Sequence, residues 1–274
     1  MRKVVGRVKK TVMRVVALDL IFLLLLIVSG AFSGFISEMI YITAFLLPFL
    51  LFLWLKKDES QLQLSLVMRP ADIPLLLALI APTIAITVGL SALTALLASL
   101  VGIGGAEPFS GSVFELIILH ALLPAVLEEA LFRYIPLTLI APHSRRSAVL
   151  ISAILFAAAH CDLATMPYAF VAGILFAIID LSCGSILPSV VLHLLNNIAS
   201  VLWLWDVSAP VFRLPFVITV AALALVSIAL VVIFRARYAK KCAFLTEKCD
   251  KITTVREVWV FFAACMALAL GALF

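Results

Sequence analysis

Charged side chains are scarce in this sequence. Of its 274 residues only 13% are Asp, Glu, Lys or Arg, whereas 65% are hydrophobic, and the mean hydropathy is +1.27. A soluble domain is closer to half apolar and a quarter charged. The composition therefore excludes an ordinary soluble protein and predicts an integral membrane protein.

Long polar stretches are also missing, and so are the patterns of a metal or disulfide scaffold. No polar segment is long enough for a second domain, so we expect residues 1–274 to form a single membrane domain. The five cysteines include no CxxC pair, which argues against a zinc knuckle and a disulfide framework. The basic residues lack interleaved aromatics and a binding module, and no nucleic-acid partner is expected.

What the sequence has instead is a series of apolar segments. Because about 20 apolar residues cross a bilayer as one helix, the segments predict an all-α, polytopic transmembrane bundle of about eight to nine spans. A turn at Gly184 separates the sixth from the seventh, and Pro124 and Pro136 are expected to kink the fourth or end it early. The segments are residues 17–35, 38–55, 73–101, 114–142, 147–161, 166–183, 187–205, 214–234 and 257–274.

Positive charges are distributed unevenly between the ends of these segments. Six of the first fourteen residues are Arg or Lys, and another seven lie between Arg235 and Arg256. Cytoplasmic loops of membrane proteins carry an excess of Lys and Arg. We therefore expect a multi-pass protein whose N-terminus is cytoplasmic, and whose basic ends are attracted to anionic lipid.

The fourth segment carries an unusual group of ionisable residues. Such groups are costly inside a membrane and indicate a functional site. Glu129 and Arg133 have the i, i+4 order that favours an ion pair, and Glu128 is rotated from Glu129 by about 100° around a helix. One carboxylate would then be structural and Glu128 available for chemistry. Asp180, in the sixth segment, is expected to cap or pair near the Gly184 turn.

Two further polar pairs follow on neighbouring segments at the spacing of one helical turn. Phe156 and His160 share a helix face, as do His193 and Asn197. Both members of the second pair can donate hydrogen bonds toward one point, which suits a developing oxyanion. An interhelical contact is the alternative for this pair. Asn196, beside it, is expected to face another helix.

Together the three motifs resemble those of a known family. They are Glu128-Glu129-x-x-x-Arg133, Phe156-x-x-x-His160 and His193-x-x-x-Asn197. In order and spacing the set is similar to the motifs of the CPBP intramembrane proteases, which include the type II CAAX prenyl endopeptidases and proteins linked to bacteriocin processing or self-immunity. The motif-bearing catalytic core would span residues 114–205.

The resemblance implies an intramembrane endopeptidase. Glu128 would be the general base that activates a water molecule, with His160 assisting. His193 and Asn197 would donate to the oxyanion that forms at the substrate carbonyl. The remaining motif residues would support the site: Glu129, Arg133 and Phe156.

A metal is the open alternative in this interpretation, because the family is often labelled as metalloproteases. Glu128, His160 and His193 could supply three Zn²⁺ ligands and leave a fourth position for water. The HExxH motif of zinc proteases is absent, and Asn197 is better explained as an oxyanion donor. We therefore favour catalysis without a metal. The sequence also lacks the GxGD and GxSG motifs of aspartyl and serine intramembrane proteases.

A non-catalytic membrane protein is the alternative function, either a transporter or an immunity or partner-binding scaffold. Transporters often show paired halves with broken helices. No such halves are apparent here, and the polar residues cluster in the second half, which favours the enzyme. The expected partners are membrane lipid and a peptide or protein substrate, for which lipid-modified CAAX proteins and other membrane-anchored peptides are both candidates.

Overall fold

The computed structural model describes residues 2–55, 64–100, 112–205, 213–246 and 256–271. Within these ranges the backbone is helical almost throughout and contains no strand. This confirms the prediction of an all-α membrane bundle. The four cysteines in these ranges are not joined in disulfides.

Nine helices occupy the described residues. Eight are regular: α1 (Arg2–Gly30), α2 (Gly34–Leu55), α3 (Ile73–Leu100), α5 (Arg145–Ala159), α6 (Met166–Cys183), α7 (Leu187–Trp205), α8 (Arg213–Lys241) and α9 (Arg256–Gly271). The helix α4 is a continuous run of Val113–Leu116, Ile117–Leu122, Leu123–Glu129, Ala130–Tyr134 and Ile135–Ile140, of which the second and fourth pieces are π-helical.

Each predicted apolar segment contains a helix, but the boundaries differ at the basic ends. The helix α1 already begins at Arg2 and α8 continues to Lys241. Arg and Lys are good helix formers, and their long stems can lie along apolar surface while the charge reaches water. Five helical stretches are long and apolar enough to cross a membrane: Lys9–Gly30, Gly34–Leu55, Pro70–Ser91, Met166–Cys183 and Ala221–Lys241. The number of spans stays a prediction.

The helix α4 continues through both of its prolines, so the expectation that either one ends it is wrong. A π-helical turn precedes each proline. Because proline lacks an N–H, the carbonyl four residues earlier loses its helical partner. For Pro136 this carbonyl belongs to Phe132. It accepts hydrogen bonds from Ser152 Oγ of α5, at 2.5 Å, and from Arg133 Nη1, at 3.2 Å. The lost helical bond has become a contact between two helices.

The turn between α6 and α7 lies at Gly184, as predicted. Gly184 has a left-handed φ of 67°, and its N–H donates to the carbonyl of Asp180 at 2.7 Å. The Asp180 side chain accepts the N–H of Ser189 at 3.1 Å, in the first turn of α7. Backbone bonds between Ser65 and the turn, from Ser65 N to Gly184 O and from Ile186 N to Ser65 O, are each 3.0 Å.

Helix packing gathers the motif-bearing residues in one region. The main apolar core lies between α1, α2, the second half of α4, α5, α6 and α9. The helix α3 packs on α6, α7 and α8, and the first half of α4 lies against α7. Apolar side chains on that first half are exposed, including Phe114, Leu122 and Val126. Glu128 and Glu129 therefore lie where α4 passes from an exposed half to a buried half.

The left-handed turn gives a test of the fold. Gly184→Ala should lower the free energy of unfolding by about 1 kcal/mol, because a Cβ is unfavourable at positive φ. Gly89 is the matched control, since it lies inside α3 and a Cβ there would meet nothing within 4 Å. Gly89→Ala should be neutral or stabilising by about 0.5 kcal/mol. Unfolding titrations in mixed micelles measure the free energy of unfolding of both variants. Equal losses in the two variants would contradict a special role for the left-handed turn.

Candidate active site

A buried ion pair lies at the centre of the motif-bearing helices. Glu129 Oε2 is 3.6 Å from Arg133 Nε, and both side chains are completely buried. The two residues are four apart on α4, the spacing from which the pair was predicted. A buried guanidinium without a carboxylate partner would be very costly. The pair therefore accounts for the presence of both charges at this depth.

His193 holds the other oxygen of the same carboxylate. Its Nδ1 lies 2.8 Å from Glu129 Oε1. An ionised carboxylate accepts hydrogen bonds and cannot donate them, so Nδ1 carries the hydrogen. This interaction joins α4 to α7 and sets the orientation of the imidazole. Spacing within a single helix gives no signal for it, and sequence reasoning missed it.

Aromatic rings and a glycine surround the Arg133 guanidinium. Arg133 Cζ lies 4.0 Å from the ring centroid of Phe156 and 5.8 Å from that of Phe176. A Cβ added to Gly173 would lie 3.3 Å from Arg133 Nη2 and 3.0 Å from the Cα of Ala153. Gly173 thus makes space both for the guanidinium and for the approach of α5 to α6. Neither Phe176 nor Gly173 was predicted as a site residue.

The Phe156 ring also contacts His160 and His193, the two histidines of the candidate site. Its ring centroid lies 4.9 Å from that of His160 and 5.6 Å from that of His193, in edge-on arrangements. The Phe176 ring lies 5.6 Å from His193 on another side. The aromatic residues therefore restrict the orientation of both imidazoles and of the guanidinium at once.

Glu128 differs from its neighbour in exposure and in partners. Its side chain is 15% exposed, whereas that of Glu129 is 0% exposed. Its Oε2 lies 3.9 Å from His193 Nε2, which is beyond direct hydrogen-bond distance. One water molecule could hydrogen-bond to both atoms across such a separation. The two adjacent carboxylates therefore have different surroundings: that of Glu129 is fully buried, and that of Glu128 is accessible.

His160 lies just beyond α5, which ends one residue earlier, at Ala159. The next residue, Cys161, has a left-handed φ of 48° and does not continue the helix. His160 Nδ1 is 2.8 Å from the carbonyl oxygen of Phe156. Since a carbonyl only accepts, Nδ1 carries the hydrogen, and in the neutral imidazole Nε2 is an acceptor.

The two asparagines of α7 face different surroundings. The Asn196 side-chain oxygen accepts a hydrogen bond from Thr87 Oγ1 of α3, in keeping with the expectation that Asn196 faces another helix. Asn197 follows His193 by one turn and is partly buried. It therefore lies on the helix face that carries His193.

The zinc alternative requires Glu128, His160 and His193 to lie close together. Among the residues that the structure describes, no three His, Cys, Asp or Glu side chains are close enough together to hold a metal ion. The Nδ1 atoms of His160 and His193 are both engaged, one with a backbone carbonyl and one with Glu129. These contacts leave both Nε2 atoms available, and metal-bound histidines also commonly donate their other ring N–H to a carbonyl or a carboxylate. The zinc alternative therefore stays a hypothesis, and the reaction proposed for this site uses the side chains alone.

Comparison with known proteins supports the resemblance in this region. Residues 110–199 match the family model described as type II CAAX prenyl endopeptidase Rce1-like. The matched segment contains all three motifs and confirms the resemblance to the CPBP family over that part of the chain. At the level of the family, this supports an intramembrane protease of the CAAX type. Comparisons with curated proteins and with solved structures gave no match.

The buried ion pair gives a prediction for stability. Arg133→Met should lower the free energy of unfolding by about 3–5 kcal/mol, because it leaves the carboxylate of Glu129 buried without its cation. Adding Glu129→Gln should recover part of this loss, since a neutral amide needs no cation and can still accept from His193. Unfolding in mixed micelles measures each variant.

Arg235→Met is the control for loss of one arginine, because Arg235 is exposed on α8. It should change the free energy of unfolding by less than about 0.5 kcal/mol. If the double variant at Glu129 and Arg133 proved no more stable than Arg133→Met alone, the ion pair would not be the reason for the loss.

Proposed function

With the CAAX endopeptidase match as the premise, we propose that the protein is an intramembrane endopeptidase that hydrolyses a peptide bond with water activated by Glu128. The observation that carries the proposal is the difference between the two adjacent carboxylates. The carboxylate of Glu129 contacts Arg133 and His193, whereas that of Glu128 stays partly exposed beside His193 Nε2. A general base needs such access to the proton that it removes.

The attacking water would be held by two acceptors. Glu128 takes one of its protons, and Nε2 of neutral His160 accepts a hydrogen bond from the other. The bond from His160 Nδ1 to the carbonyl of Phe156 supports this role, because it leaves the lone pair on Nε2. The water oxygen then attacks the carbonyl carbon of the substrate.

His193 and Asn197 would stabilise the oxyanion that results. Asn197 donates through its amide N–H. His193 already donates Nδ1–H to Glu129, so it can donate from Nε2 only as an imidazolium. The carboxylate of Glu129 faces that cation directly and supports it. Glu129 therefore supports the oxyanion donor, in addition to pairing with Arg133.

The reaction closes when the proton on Glu128 passes to the leaving amine. The carbon–nitrogen bond then breaks, the carbonyl re-forms as a carboxylic acid, and Glu128 returns to its ionised state. Water supplies both the oxygen and the protons, so the step needs no co-reactant.

The substrate of this reaction would be a peptide close to, or anchored in, the membrane. The site lies among apolar helices, and water and peptide must share a polar cavity between them. Lipid-modified CAAX peptides and other membrane-anchored peptides both meet this requirement. The charge pattern of the loops supports a cytoplasmic N-terminus.

Cleavage of a membrane-anchored peptide library by the purified protein tests the proposal. Glu128→Ala should reduce the rate of cleavage at least a hundredfold, about the contribution of a general base. A strong chelator should leave the wild-type rate unchanged. Loss of cleavage with chelator would contradict the metal-free mechanism and favour a zinc site.

A folded wild type that cleaves neither prenylated nor unmodified peptides would instead favour the alternative of a non-catalytic scaffold. Helix content and elution volume of the Glu128→Ala variant should match those of the wild type. This control separates loss of chemistry from loss of folding.

The adjacent asparagines give a matched test of the oxyanion site. Asn197→Ala should lower kcat about a hundredfold, because one donor to an oxyanion typically contributes a few kcal/mol. Asn196→Ala should lower kcat far less, since the Asn196 side chain faces Thr87 of α3. Equal losses of kcat in the two variants would show that α7 needs both amides for packing, which would remove the assignment of Asn197.

A further inference from the structure

A second cluster of charges lies at the end of the bundle where α3 begins. Asp72 is the last residue of the 3-10 turn Pro70–Asp72, and its side chain is only 1% exposed. Lys241 Nζ lies 2.7 Å from Asp72 Oδ1, Arg69 Nη2 lies 3.1 Å from Oδ2, and Arg237 Nη2 lies 3.7 Å from Oδ1. Three cations around one carboxylate leave an excess of two positive charges.

Two of these cations also contact the end of α6. Lys241 Nζ donates to the carbonyl of Ser182 at 3.0 Å, and Arg69 Nη2 to that of Cys183 at 3.5 Å. Both carbonyls belong to the last turn of α6, the negative end of its dipole. The cations are thus held in place by the ends of three helices, which reduces the entropy lost when a ligand binds.

The two arginines of the cluster are open to the surroundings. The side chain of Arg69 is 68% exposed and that of Arg237 is 43% exposed, whereas Lys241 is largely covered. Arg69 contacts Asp72 and the carbonyl of Cys183 through Nε and Nη2. A guanidinium has five N–H donors in a planar fork, which matches the oxygens of a phosphate. Donors on Nη1 of Arg69 can therefore serve an anion from outside.

Exposed apolar side chains flank the arginines. Leu66 and Val67, just before Arg69, are about three-quarters exposed. On α8, Val232 and Ile233 precede Arg237 and are also mostly exposed. Cations beside exposed apolar residues are typical of a surface that lies at the boundary between headgroups and acyl chains.

We propose that this cluster is a binding site for the phosphate of an anionic phospholipid, held between Arg69 and Arg237. The acyl chains would lie along the exposed apolar face of α8, and Leu66 and Val67 would enter the same boundary layer. Asp72 positions the two arginines, and the surplus of positive charge selects an anionic headgroup over a zwitterionic one. Bound lipid would join the ends of α3, α6 and α8.

Thermal unfolding of the detergent-purified full chain tests this site. Phosphatidylglycerol should raise the Tm by several degrees more than phosphatidylcholine, because a ligand that binds only the folded state stabilises it. Arg237→Gln should remove at least half of that difference. The longer 3.7 Å contact of Arg237 makes it a better choice than Arg69 for a variant that folds.

Arg235→Gln is the matched control, with the same loss of charge on the same exposed end of α8. Its position is rotated from that of Arg237 by about 200° around the helix. This variant should keep the phosphatidylglycerol effect. If both variants lost it equally, general attraction between basic helix ends and anionic lipid would explain the result, and the proposal would be wrong.

Two further measurements separate the possible anions. Native mass spectrometry should show retained phosphatidylglycerol on the wild type and several-fold less on Arg237→Gln. Inorganic phosphate alone should not reproduce the rise in Tm, because it offers no acyl chains to the face of α8. An equal rise with inorganic phosphate would overturn the assignment to lipid.

Discussion

The ion pair between Glu129 and Arg133 is the interaction on which the candidate site depends. Two opposite charges without access to water can persist only when each is neutralised and hydrogen-bonded. Glu129 meets this condition with Arg133 on one oxygen and His193 on the other. Arg133 in turn requires an aromatic ring on its face and a residue without a side chain beside it, which Phe156 and Gly173 provide. The positions of four helices follow from these requirements.

Irregular backbone in α4 contributes to the same arrangement. Pro136 removes one helical hydrogen bond, and the carbonyl of Phe132 receives Ser152 of α5 and Arg133 instead. The π-helical turns on either side of the carboxylate pair change the register between the exposed and the buried halves of α4. Such turns are frequent at functional sites. In a regular helix the carbonyl of Phe132 would accept a backbone N–H of the same helix, whereas here it accepts hydrogen bonds from two side chains.

Much of the fold and part of the site could be predicted from the sequence. Within the described residues, each predicted apolar segment contains a helix, because crossing a lipid bilayer requires long apolar runs. The spacing of Glu129 and Arg133 gave their pairing, because both lie on one helix. The contact of His193 with Glu129 joins two helices, and no pattern within either one reports it. Phe176 and Gly173 are apolar residues in an apolar helix, so nothing distinguished them before packing was known.

The placement of the ion pair within α4 also bears on how the protein is made. A charge that enters a bilayer alone at the centre of a helix costs about 3 kcal/mol on insertion scales. Glu129 and Arg133 are one turn apart, so they can neutralise each other while α4 is still a separate helix in the translocation channel. Glu128 has no cation one turn away on α4, and His193 reaches the carboxylates when α7 is inserted. Membrane integration can therefore precede assembly of the candidate site.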